Sequence, residues 1–231
     1  MRPTLFNPQL ILRLSASLAV ALIATAFAVG SAGAQMLGVP VLQNGFSNPG
    51  ITAAVNYGTA DSVRGYGVAG AWAPASGRFQ VSGGIGGYDA DEGKTWLTYG
   101  GRFAMPLTRF TGSGSFGIAP FAGMGAANRE GVSILHIPVG VAAGYRRALG
   151  ATRAISVYGS SFYGFTRATS DAATDASESN GLIRFAGGVD VALLPALGLT
   201  IGYEFGAKAE GTEPGPRSSI FGIGLSYAFR R

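Results

Sequence analysis

From Gly50 to the C-terminus the chain alternates between apolar and small or polar residues. In the last segment, "SIFGIGLSYAF", Phe221, Ile223, Leu225, Tyr227 and Phe229 take every second position, and Gly222, Gly224, Ser226 and Ala228 fill the gaps. A period of two is the signature of a β-strand, whose side chains point to opposite faces in turn. Ten such segments follow one another, from 51–58 (ITAAVNYG) through 132–147 (VSILHIPVGVAAGYRR) to 217–229 (RSSIFGIGLSYAF). Breaks rich in Gly, Pro, Ser and Asp separate them. Beyond the first residues, no stretch has the ~20 apolar residues of a membrane helix.

One face of these strands carries Ile, Val, Leu, Tyr, Trp and Phe, with no charged residue in mid-strand. The other is mostly Gly, Ala and Ser, with isolated polar groups such as Asn56, Gln80, Arg102, Arg184, Asp190, Thr200 and Glu204. A soluble sheet would put Thr, Lys, Glu or Gln on its wet face, so this second face makes a poor solvated surface. It suits the crowded interior of a small barrel, with the apolar face turned to lipid and aromatics gathered at the strand ends. Strands of about 9–11 tilted residues cross a bilayer, and closure pairs every backbone group where no water is present.

The breaks differ in kind. Apart from Asp190 and Glu204, all twelve acidic residues fall in the odd-numbered gaps, such as "DADEGK" and "RATSDAATDASESN"; the even gaps, such as "PASG" and "PA", hold none. An even strand count puts both termini at the periplasmic end, with the longer acidic gaps extracellular and the short ones periplasmic. The expected fold is all-β: a closed antiparallel up-and-down transmembrane β-barrel of ten strands, with eight as the alternative.

The N-terminus gives an address. Arg2 and Arg13 precede the nearly uncharged run "LSASLAVALIATAFAVG", and the small residues "SAGA" come before Gln35. That is the layout of a cleaved signal peptide over residues 1–34. Residues 35–49 form an N-terminal lead-in, in which "MLGVPVLQ" could add a short strand, and 50–231 form the barrel domain. Cleavage removes two of the arginines behind the formal charge of +5. The lysines are Lys94 and Lys208 and the arginines are scattered, so nucleic acid is not an expected partner. With no cysteine, an exported chain has no disulfide and rests on packing and backbone hydrogen bonds.

With these features, and the terminal "GLSYAF", residues 50–231 resemble the small Gram-negative outer-membrane β-barrel proteins of the OmpA-like and opacity-type superfamily. The resemblance implies a place in the cell outer membrane, contact with its lipids and lipopolysaccharide, and dealings with the barrel-assembly machinery. It makes Leu225, Tyr227 and Phe229 the assembly signal, although Arg230 and Arg231 depart from the usual terminal aromatic. It names no extracellular ligand.

Chemistry is sparse. His136 could serve as a general base or metal ligand at the outer rim, as omptin-type proteases use an Asp–His pair, but a lumen histidine bonded to a neighbour is the plainer reading. "DADE" at 89–92 could bind a divalent cation, yet reads as a solvated loop. Ser160 and Ser161 lack a nucleophile motif, and the glycine-rich stretches lie on strands without a following helix. The expectation is a barrel with a structural or surface-interaction role, its lumen filled by side chains, without cofactor or metal. A narrow porin-like channel is the alternative, and a barrel protease or lipid-A-modifying enzyme a third reading. The four in-strand lumen charges, Arg102, Arg184, Asp190 and Glu204, are expected to form a polar network, with Asp190 and Glu204 level or one pair apart across the "LPAL" turn.

Overall fold

A computed structural model describes residues 33–231, except 62, 91–93, 108–113, 151–152, 171–176, 212–213, 217 and 230–231. The expected signal peptide lies almost wholly outside the described residues. The strands are β1 (Gly50–Thr59), β2 (Arg64–Ala73), β3 (Gln80–Ala90), β4 (Lys94–Ala104) and β5 (Gly114–Arg129). They continue with β6 (Val132–Ala148), β7 (Ala154–Ser170), β8 (Ser177–Ala192), β9 (Leu197–Gly206) and β10 (Ile220–Phe229). Each pairs antiparallel with its neighbour in sequence, and β10 pairs with β1 to close a ten-stranded barrel. The eight-stranded alternative is thereby excluded. Closure is in register from Ile51 opposite Phe229 to Thr59 opposite Phe221, so the wall has no free edge.

The two faces sort as the alternation requires. Val55, Val68, Val157 and Ile183 point outward with 53–57% of their surface exposed, among many other large apolar side chains. An exposed apolar belt around a closed wall belongs in hydrocarbon, because water would oppose exposing so much of it. Trp72 meets Phe79 edge-on near the end of β2, and Phe185 stacks on Phe205, on this outer surface.

Strands β5 to β8 run longer than the alternation suggests. The β5–β6 connection is a two-residue hairpin turn with Glu130 and Gly131 at φ 42° and 80°, the left-handed pair that matches strand twist. The seventh gap, expected as a loop over 166–180, is in large part ladder: Thr166 faces Asn180 and Thr169 faces Ser177. Backbone pairing can continue above the membrane without apolar side chains, and Arg167 adds a 3.3 Å bond to Ser177 Oγ. Composition alone concealed this extension.

Candidate functional site: an occupied lumen

The lumen is filled by more than its wall. Residues 33–49, which comprise the expected lead-in of 35–49 and the two residues before it, form no strand and run inside the barrel. Their contacts climb from Ser82 and Arg102 in the periplasmic half to Thr98 and Gly65 near the outer end, then descend past Glu204 and Asp190 to Arg146. The bend is a tight turn closed by the Val39 N–H to the Met36 carbonyl at 3.3 Å. Gly38 at φ 78° supplies the left-handed third position, which a side chain would strain.

Two apolar clusters seat this hairpin. Val41 and Leu42 pack with Phe121, Tyr158 and Phe162, and Met36 and Val39 with Ala34 and Ala69. Met36 is completely buried. Side chains of this kind contribute about 1.5–3 kcal/mol each when fully buried, so the hairpin has a core of its own inside the wall.

The bare inner face now has a cause. A Cβ at Gly65 would strike the backbone of Gly38, one at Gly58 the Gly38 carbonyl, and one at Gly222 the ring of Pro40. At Gly100 it would meet the Gln35 carbonyl. These wall positions hold glycine where the hairpin lies against them, which fits close approach better than bending of the wall.

Polar groups hold the two arms. Arg184, fully buried, donates from Nε to Glu204 Oε1 at 2.6 Å, from Nη1 to the Ala207 carbonyl at 2.7 Å and from Nη2 to the Ser218 carbonyl at 3.1 Å. The other oxygen of Glu204, Oε2, accepts the Val41 N–H at 2.8 Å. Asp190 accepts from Thr200 Oγ1 and from Asn44 Nδ2, both at 2.7 Å, and Asn44 Nδ2 also reaches Ser156 Oγ at 2.9 Å. Arg102 donates from Nη2 to the Gly33 carbonyl on the rising arm and to the Leu42 carbonyl on the falling arm. Near the periplasmic mouth, Arg146 lies 4.6 Å from the centre of the Phe46 ring and bonds Asn48 Oδ1 at 3.5 Å.

Of the four lumen charges, Arg184 and Glu204 are therefore in direct contact, while Asp190 and Arg102 each reach a different part of the hairpin. The expected spacing of the carboxylates needs correction. Asp190 lies opposite Thr200, and Glu204 lies opposite Ala186, two inward-facing steps farther along β9. The tight Leu193–Leu197 turn sets this register, with the Leu193 N–H on the Leu197 carbonyl at 2.9 Å. The separation lets each carboxylate take its own donors.

The remaining candidates are dispersed. His136 Nδ1 lies 2.8 Å from Thr166 Oγ1, and Glu130 pairs instead with Arg129 at 3.2 Å. Asp89 belongs to β3, while Asp91 and Glu92 lie outside the described residues. Ser160 is buried in the lumen and Ser161 faces outward. Leu225, Tyr227 and Phe229 lie on the outer face of β10, opposite Val55, Ala53 and Ile51.

Sequence reasoning passed over Val41, Asn44, Phe46 and Arg146, which carry much of the hairpin's attachment. The available signal was the inner face itself: too bare to fill a lumen, beside an unassigned apolar segment.

Neither a protein-family model nor a curated protein matches the sequence. Among solved structures, LpxR from Salmonella typhimurium is similar at a TM-score of 0.44 and 8% identity, over 78% of this chain and 99% of that one. Ail, the attachment invasion locus protein of Yersinia pestis, solved with the heparin analogue sucrose octasulfate, gives 0.37 and 12%, over 78% and 95%. A loop-deletion mutant of OmpT, an outer membrane protein of Vibrio cholerae, gives 0.27 and 14%, over 76% and 62%. The setting of this chain follows from its own surface. A closed, even-stranded antiparallel barrel with an apolar outer face has the architecture of an outer-membrane protein.

Proposed function

We propose that this chain is an internally plugged barrel of the Gram-negative outer membrane, with a structural or surface-interaction role and no open pore. The observation that carries the reading is the hairpin of residues 33–49, buried along most of its length and bonded to opposite walls of the lumen. A water-filled channel has no room where Val41, Leu42, Phe121 and Phe162 pack together. Its outer face would contact lipid and lipopolysaccharide, its acidic outer gaps would meet the exterior, and its last strand would be read by the assembly machinery. Processing after Ala34 would remove Gly33 and leave the Leu42 carbonyl as the hairpin's acceptor for Arg102.

Conductance in planar bilayers tests this reading. The wild type is expected to show little steady current. Gly222→Val, whose Cβ would already meet the Pro40 ring, is expected to loosen the hairpin and produce openings. Gly58→Ala, aimed at Gly38 and Val39, provides an independent route. Large, stable channels from the wild type would overturn the plug and favour the porin-like alternative.

A further inference from the structure

The hairpin stops short of the outer mouth, and above its turn lies a cavity of about 340 Å³. Met36, Leu37 and Val39 form the floor, and Val63, Ile134 and Ile220 stand in the walls at the outer ends of the strands. That volume lies in the lower part of the range of small-molecule sites, which are mostly apolar with a few placed polar groups. Here those groups are Gln35, Tyr88, His136, Thr166, Glu204 and Ser218.

Charge narrows the ligand. Both oxygens of Glu204 are engaged, by Arg184 Nε and the Val41 N–H, and the Arg184 guanidinium balances the carboxylate. Among the described lining residues no other side chain carries a formal charge, His136 taken as neutral. The cavity therefore offers no unpaired charge to an ionic ligand, and desolvating one would be costly.

His136 supplies a directional group. Its Nδ1 is committed to Thr166 Oγ1, and the ring passes over Gly164, where a Cβ would come within 2.8 Å of Cε1. The glycine makes room for the ring beside the cavity. With Nδ1 engaged, Nε2 is the nitrogen left to a ligand: it donates if the Thr166 hydroxyl donates to Nδ1, and accepts if Nδ1 carries the proton. A hydroxyl can answer either tautomer, whereas a carbonyl answers only the first.

We propose that this cavity is an outward-facing binding site for a small, neutral, largely apolar molecule bearing a hydroxyl group, which His136 anchors above the floor of the plug. Apolar contact with the floor and walls supplies most of the affinity, through water released from surfaces that hydrate poorly. The hydroxyl fixes orientation. Because the hairpin forms the floor of this site, the assignment rests on the plug reading; conductance tests the plug, and ligand binding tests the site.

The test is titration calorimetry on the full barrel in lipid nanodiscs with 4-butylphenol as probe, against empty discs that account for partition into lipid. Saturable one-to-one binding is expected. Ala60→Trp, which fills the cavity from an outer-loop position, should abolish it; Val63→Trp does the same from the facing side of that loop if the first variant fails to fold. His136→Phe should weaken binding about three- to ten-fold, the value of one hydrogen bond, while His136→Gln should restore much of it. Butylbenzene should bind more weakly than the phenol, and 4-butylbenzoate should not bind detectably. Heat no greater than that of empty discs, equal binding by wild type and folded Ala60→Trp, or tighter binding of the benzoate would each overturn the assignment.

Discussion

Replacing Glu204 by leucine would strand the most deeply buried cation among the described residues. Arg184 has no exposed surface, and Glu204 is its only carboxylate partner among the described residues. The change also removes the acceptor of the Val41 N–H. Breaking a buried ion pair from one side costs about 3–5 kcal/mol, because the survivor keeps its desolvation penalty without its partner. The Ala207 and Ser218 carbonyls still solvate the guanidinium, which holds the expected loss to that range rather than beyond it. Arg184→Met should cost a similar amount by stranding the carboxylate. The double variant leaves no buried charge at this site and loses mainly the Val41 bond, so about 1–3 kcal/mol is expected for the unsatisfied N–H. The assay is reversible urea unfolding in liposomes, followed by Trp72 and Trp96 fluorescence with the urea slope held constant across variants. Single losses under about 1 kcal/mol, or a double loss equal to the sum of the singles, would refute the view of a buried and coupled pair.

Ile201, in the middle of β9 and exposed on the outer face, should cost about 2–4 kcal/mol when changed to Arg, while Ala207→Arg just beyond that strand should cost about 0–1. Equal costs in the same liposome assay would mean that the lipid face is wrongly assigned. A single cysteine at Asp61 should react with an impermeant maleimide on intact cells, and one at Ser76, at the other end of β2, should react only after the outer membrane is opened. The reverse pattern would invert the topology.

The wall was legible because alternation reports which way a side chain points, and the acidic gaps set the two ends of the barrel apart. Phe221 to Phe229 could only be a strand with one apolar face. The hairpin left a fainter trace. "MLGVPVLQNGF" has neither period, since it pairs with no single neighbour and is satisfied piecemeal by Thr98, Glu204, Asp190 and Arg102. Those lumen charges stand out in the sequence, but their partners in the hairpin, the Val41 N–H, the Leu42 carbonyl and the Asn44 side chain, belong to a segment with no repeating pattern. Gly65, Gly100 and Gly222 looked like room between walls, and they are room for the hairpin. The pairing of Arg184 with Glu204, across β8 and β9, required the register of the turn at 193–196, which a shift of two residues would have changed.

The most direct measurement of the hairpin's position uses the absence of native cysteine. A Cβ at Gly222 would lie against the ring of Pro40, so the pair Pro40→Cys and Gly222→Cys places two thiols within disulfide reach across the lumen. Mild oxidation of the folded barrel, followed by proteolysis and mass spectrometry, should recover the peptide around residue 40 joined to the peptide around residue 222. The urea-unfolded chain should give that product far more slowly. Two free thiols in the folded protein, both open to maleimide after oxidation, would place residues 33–49 outside the lumen and contradict the account.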